Sequence, residues 1–266
     1  GVHQRGEPQD PSSPSYQTGT STNLANAESG CDLRSGLHFA LIVGLVTPPI
    51  QARSRLLAMS FSSEVLTIEH DGHVATLWLD RPEKLNAMNL PFWEDIPKAM
   101  EELGADDNVR AIVIAARGKA FTVGIDLTLL AQVAGRGEGS DAARKLARYE
   151  EVKRMQWTMT TIAECPKPVI AAVHGYCLGA GIDLITACDI RLASKDATFS
   201  IRETKMAMVA DVGTVQRLPR IIPAGYVAEL LYTGKDIDSG RAKEIGLLND
   251  VLPDREATVE AALSMA

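Results

Sequence analysis

From residue 61 onward the apolar positions recur with two alternating periods, and the switches between them mark out the elements. The runs at 64–69 and 73–79, which flank Asp71-Gly72, predict a hairpin. The stretches 109–115 and 167–173, rich in β-branched residues and alanine, predict buried strands, and 189–194 with an extended piece at 197–201 predicts two more. Between them the period changes to that of a helix. Asn89 starts one helix, with Phe92, Ile96, Met100 and Leu103 on one face, Gly104 as its stop and Pro97 as an expected kink. Others are expected from Asp126, from 141 to about 164, over 224–232 and 239–245, and from near Arg255. His174 and Gly175 end the strand at 167–173, and the small residues that follow read as a loop feeding a further helix. Strand–helix alternation of this kind predicts an α/β fold built from repeated β-β-α units.

Residues 1–58 read differently. The first 26 are rich in Ser, Thr, Gln and Pro without apolar periodicity, which predicts disorder. The apolar run at 37–46 has the size of a signal-peptide core but is too short to span a bilayer, and it lies far from the start. Arg5, Arg34, Arg53 and Arg55 suit an import presequence, whereas Glu7, Asp10, Glu28 and Asp32 do not. The expectation is a non-domain extension preceding a natural start at Met59, with a core domain over 59–253. Gly135 to Ser140 is expected to be a flexible break within that domain.

Composition changes this picture little. With 266 residues, 45% hydrophobic and 23% charged, the chain reads as an ordinary soluble globular protein. A net charge of −7 argues against a nucleic-acid surface, because phosphate recognition needs a basic patch. The four cysteines (31, 165, 177 and 188) form no metal-ligating spacing, and Cys177 and Cys188 fall in predicted core. A reducing, intracellular compartment fits this usage.

Candidate chemistry concentrates between residues 167 and 219. Asp183, Glu203 and Asp211 stand in or beside apolar sequence, where a carboxylate is costly unless it is paired or functional. They fit acid/base work or, equally on these residues alone, helix caps and a surface glutamate. Two glycine turns, Gly124-Ile125-Asp126 and Gly179-Ala180-Gly181, lead into helices, where free backbone N–H groups stabilise developing negative charge. Neither is a phosphate loop, since no Gly-Lys-Ser/Thr follows. His174 reads as a strand-end residue rather than a base.

The words around these residues resemble the enoyl-CoA hydratase/isomerase (crotonase) superfamily. They are Arg81-Pro-Glu-Lys-Leu-Asn-Ala-Met88, Ala120-Phe-Thr-Val-Gly-Ile-Asp-Leu127, Lys-Pro-Val-Ile-Ala-Ala-Val-His-Gly at 167–175, Asp-Leu-Ile-Thr-Ala-Cys-Asp-Ile-Arg at 183–191 and Ala-Asp-Val-Gly-Thr-Val-Gln-Arg-Leu-Pro at 210–219. All occur in family order, over roughly residues 62 to 253. Within the superfamily the likeness is greatest to the dienoyl-CoA isomerases. A hydratase carries glutamates at the positions of Asp183 and Glu203 and a small residue at that of Asp211; this chain departs at the first and third.

The resemblance implies the crotonase spiral, an acyl-CoA thioester substrate, and no metal or redox cofactor, CoA arriving with the substrate. It implies a shift of 3,5-dienoyl-CoA to 2,4-dienoyl-CoA through an oxyanion-stabilised dienolate in fatty acid β-oxidation. Ile125 and Ala180 would donate the oxyanion N–H groups. Glu203 would serve C2 and Asp211 C6, with Asp183 in support. Lys84, Asn86, Ala87, Asp126 and Leu127 fall where the family contacts CoA and substrate. The location implied is cytoplasmic, or mitochondrial or peroxisomal in a eukaryote. Family members continue past the position of Ala266, so 254–266 reads as the start of a cut-short helical region; with its missing helices a homotrimer or hexamer is implied. The rival readings are an enoyl-CoA hydratase or Δ3,Δ2-enoyl isomerase, and a catalytically silent scaffold acting through protein contacts. Thr204-Lys-Met-Ala-Met208, which departs from the family beside Glu203, favours the scaffold.

Overall fold

The computed structural model describes residues 61–135 and 139–266. The expectations for residues 1–58 and Met59, and the centre of the break at 135–140, lie outside the described residues. Six strands form the main sheet: β1 (Leu66–Asp71), β2 (Val74–Leu79), β3 (Ala111–Ala116), β4 (Val169–Val173), β6 (Ile190–Ser194) and β9 (Asp250–Leu252), in the spatial order β1-β2-β3-β4-β6-β9. β1 and β2 form the expected hairpin around Asp71-Gly72, and every other pair in this sheet is parallel. A second sheet joins β5 (Tyr176–Leu178), β7 (Thr198–Ser200) and β8 (Ile237–Asp238). Two successive passes of the chain, β4–β5 and β6–β7, each leave one strand in the large sheet and the next in the small one.

β5 corrects the expected loop. Its three residues lie between Gly175 and Gly179, which make the stretch read as a loop, but they pair with β7 in register from Tyr176↔Thr198 to Leu178↔Ser200. Thr122 also bridges to Cys177. The pairing is non-local, so no local period announces it.

The buried runs are explained by burial on both faces. Ile112, Ile114, Val169, Ala171 and Val173 point into the larger core. Their alternates Val113, Ala115, Ile170 and Ala172 join Trp78, Leu192 and Ala262 in a smaller cluster. Ala262 belongs to α8 (Arg255–Met265), which covers that side.

The helices α1 (Leu90–Ala105), α2 (Leu127–Gly135), α3 (Asp141–Ala163) and α4 (Ala180–Ala187) surround the cavity described below, and α5 (Thr214–Arg217) backs it. α6 (Ala224–Thr233) and α7 (Ser239–Glu244) complete the described helices. Asn89 caps α1 through its side chain and Ser140 caps α3, each accepting from a backbone N–H three residues on. α1 runs on through Pro97, which cannot donate to the carbonyl of Trp93. Thr158 of α3 replaces that bond, its hydroxyl donating to the Trp93 carbonyl at 2.8 Å. The proline therefore ties two helices together and fixes Trp93, whose indole N–H in turn donates to the Met88 carbonyl at 3.2 Å. Among the described residues no helix is long and apolar enough to cross a membrane.

Candidate active site

The two glycine turns meet. Gly124 has φ +86, and a Cβ on it would fall 2.7 Å from the Leu178 carbonyl oxygen and 3.3 Å from the Ala180 amide nitrogen. Only glycine lets the 122–126 loop approach the start of α4 this closely. The loop is held from both sides, Met88 N–H donating to the Gly124 carbonyl at 2.8 Å and Asp126 N–H to the Met88 carbonyl at 3.0 Å. The N–H groups of Ile125, between those two bonds, and of Ala180, first residue of α4, have no acceptor among the described residues. Two free donors from different loops therefore stand beside one another, one of them at the positive end of a helix.

A cavity of about 330 Å³ opens at these donors. Its walls are largely apolar, with Trp93, Leu130, Val152, Met155, Met208 and Val212 among them. All three candidate carboxylates line it: Asp183, Glu203 and Asp211. A Cβ on Gly179 would lie 3.4 Å from Glu203 Oε1, so the glutamate carboxylate sits against the turn that presents the Ala180 amide.

Their surroundings differ. Asp183, in the first turn of α4, is 1% exposed. Its Oδ1 accepts from the Thr214 backbone N–H at 2.6 Å and from the Thr214 hydroxyl at 2.7 Å, while Oδ2 has no partner among the described residues. Burial pushes its carboxyl up to about 6, against the opposing effect of the two Thr214 bonds and the Arg217 charge. Glu203 opens a 3₁₀ turn (Glu203–Met206), and its buried Oε2 also lacks a partner. Burial first, then the charge of Asp183, pushes Glu203 up to about 7. Asp211 stands at the mouth, exposed as a residue, yet partial burial still raises its carboxyl. Gln156 of α3 donates to its backbone carbonyl at 2.7 Å and ties Asp211 to that helix.

A more open cleft of about 600 Å³ shares Val123, Ile125, Leu127, Arg202 and Met206 with the cavity. Lys84, Ala87, Asp126 and Leu127 line it, as do Arg81 and Lys205. Cations outnumber anions on its walls. Arg81 pairs with Asp126 at 2.7 Å; Arg202 pairs with Asp236 at 2.8 Å, and Lys205 lies 3.7 Å from that same carboxylate. Asn86 lines neither space. It is fully buried, accepting from Arg81 N–H and donating to the carbonyls of Arg117 and Ala120, so its amide is spent inside the loop. His174 is likewise internal, with Nε2 3.0 Å from the Gly118 carbonyl oxygen and its imidazole lowered by burial.

Residues 69–266 match the family described as enoyl-CoA hydratase/isomerase. The chain belongs to that family. Among curated relatives, the mitochondrial Delta(3,5)-Delta(2,4)-dienoyl-CoA isomerase of Mus musculus is 43% identical over 197 residues, which are 73% of this chain and 60% of that protein. The peroxisomal enzyme of the same name from Arabidopsis thaliana is 42% identical, over 71% of this chain and 68% of its own. The chain thus spans about three fifths of the length of the mammalian relatives it matches. Of solved structures, an enoyl-CoA hydratase from Bacillus anthracis superposes with a TM-score of 0.67 at 31% identity, over 76% of this chain and 75% of that one. One from Mycobacterium smegmatis gives 0.66 at 32%, over 76% and 74%. The two-sheet spiral is therefore the crotonase fold of the enoyl-CoA hydratase/isomerase family.

Sequence reasoning had no reason to single out Thr214, Trp93 or Arg202. Thr214 lies within a quoted family word, but only the fold brings it against Asp183.

Proposed function

We propose that this chain carries the catalytic apparatus of a dienoyl-CoA isomerase, moving the double bonds of a 3,5-dienoyl-CoA to the 2,4 positions. One observation carries the reading: three carboxylates, all with raised proton affinity, line an apolar cavity that begins at two free N–H groups. The thioester oxygen would lie between Ile125 N–H and Ala180 N–H, which stabilise it as charge develops. Glu203, whose proton affinity lies near neutrality, takes the C2 proton as its carboxylate; the electron pair spreads through C3–C6 and the thioester oxygen. Asp211, as the acid, delivers a proton to C6, and the 2,4-dienoyl thioester forms. Glu203 is then protonated and Asp211 ionised, and exchange with water through the mouth restores both. Asp183 stays charged beside Glu203 and keeps it basic.

The CoA portion belongs in the open cleft, where Arg81, Lys84, Arg202 and Lys205 suit its phosphates and Leu127 and Met206 its pantetheine arm. The reaction requires no metal or redox cofactor, and CoA enters only with the substrate. By family resemblance the working form is a homo-oligomer.

A hydratase reading has one observation of its own. Asp183 Oδ2 and Glu203 Oε2 are both unpartnered in one cavity, as two groups sharing a water would be. Incubation with 3,5-dienoyl-CoA decides between the two. Growth of the ultraviolet band of a conjugated 2,4-dienoyl thioester is expected. Hydration of crotonyl-CoA at ordinary hydratase rates, with 3,5-dienoyl-CoA left untouched, would replace the isomerase reading.

A further inference from the structure

We propose that Thr214 is a positioning residue that holds Asp183 as the charged member of its pair with Glu203, and thereby keeps Glu203 a strong base. The inference rests on the isomerase reading for its catalytic consequence, but not for its direct measurement.

The geometry is asymmetric. Both oxygens of Asp183 are buried, yet only Oδ1 is hydrogen-bonded, and it takes two short bonds from a single residue. Two donors on one carboxylate oxygen favour the anion, because a protonated carboxyl accepts less strongly. Glu203 has no such donor on its buried Oε2. Of two neighbouring carboxylates, the one with Thr214 stays charged throughout, and the other binds a proton the more tightly when one is offered. The charged and titratable groups around Asp183 include Glu203, Asp211, Arg217 and the buried thiol of Cys177, and Arg148 and Arg202 line the same cavity.

The backbone secures the arrangement. Gly213 has φ +145, and a Cβ there would fall 1.7 Å from Arg217 Nη1, so that end of the guanidinium occupies the space beside the glycine. Arg217 Nη1 also reaches the Val212 carbonyl and Nη2 the Thr160 hydroxyl, both at 3.5 Å. Gly213, Thr214 and Arg217 thus form one unit behind Asp183. Thr214 is fully buried in it and does not line the cavity, so it acts through Asp183 and not on substrate.

The test compares wild type, Thr214→Ser and Thr214→Val. Carbon-13 NMR of labelled Asp and Glu carboxyls follows the titration of Asp183 and Glu203. In Thr214→Val, Asp183 should titrate about 1 to 2 pH units higher, the worth of one hydrogen bond to a charged group, and Glu203 lower. The acid limb of kcat/KM for 3,5-dienoyl-CoA should move to lower pH and its plateau fall about tenfold, as expected for a weaker base. Thr214→Ser should restore both. Unmoved carboxyl titrations in a folded Thr214→Val protein would overturn the proposal. If the titrations move while wild type leaves 3,5-dienoyl-CoA unchanged, the proposal stands and the isomerase reading falls.

Discussion

The tetrapeptide Gly-Ile-Asp-Leu occurs twice, at 124–127 and at 181–184, and its two aspartates have opposite chemistry. Asp126 sits on the rim of the open cleft, paired with Arg81 at 2.7 Å and accepting from Thr128 N–H at 2.9 Å. The Arg81 bond holds its carboxyl below the ordinary aspartate range. Asp183 has no ion-pair partner among the described residues, is shut away from water, and is raised to about 6. Identical local words thus yield one carboxylate whose charge stabilises a loop and another whose charge is held against the cost of burial. What separates them is the company supplied by distant segments: residue 81 in one case, residues 203, 211 and 214 in the other.

The largest effects expected are on turnover. Glu203→Gln and Asp211→Asn should each lower dienoyl isomerisation about 10² to 10⁴-fold with little change in substrate binding, the usual worth of one general acid or base. Asp126→Asn should fall well short of that range. Wild-type rates from either of the first two variants remove that residue from the mechanism.

Hydration sharpens the contrast next. Asp183 is one methylene shorter than the glutamate a hydratase carries, so a water shared with Glu203 is held too far from the acceptor carbon. Crotonyl-CoA hydration should run about a hundredfold below that of a hydratase, the penalty for a misplacement on the order of 1 Å. Asp183→Glu with Asp211→Gly should raise hydration and abolish dienoyl isomerisation, both activities being assayed on one preparation.

Stability should divide the two aspartates by sign. The folded carboxyl of Asp183 is raised from 3.8 to about 6, so it opposes folding above pH 6, and that penalty disappears as pH falls towards 4. Asp183→Asn should therefore stabilise the protein at pH 7.5 by on the order of 1–3 kcal/mol and show no gain near pH 4, as urea titrations would record. Asp126 is depressed in the folded protein, so its contribution is present at neutral pH and lost in acid. Asp126→Asn should cost only about 0.5 kcal/mol at pH 7.5, the worth of a surface pair, and nothing in acid. The same sign for both variants at pH 7.5 would undo the comparison.

The sequence alone determined the α/β class, nearly every helix and the main-sheet strands other than β9, because their periods are local and their caps adjacent; β9 is three residues long and is defined by its pairing with β6. Asn89 before an amphipathic run, or the apolar run at 169–173, needs no distant partner to be read. The candidate carboxylates and the two glycine turns were legible too, since an acid in apolar sequence and a glycine before a helix are costly without a reason. Tertiary structure alone decided which of these meet. It placed Gly124 against Ala180, gave Tyr176–Leu178 a strand partner, turned Asn86 inward, and answered the Trp93 carbonyl orphaned by Pro97 with Thr158 of another helix. It also set the ionisation of Asp183 apart from that of Asp126. Proton affinity in a protein follows burial and neighbouring charge, and both are properties of the assembled fold rather than of any local word.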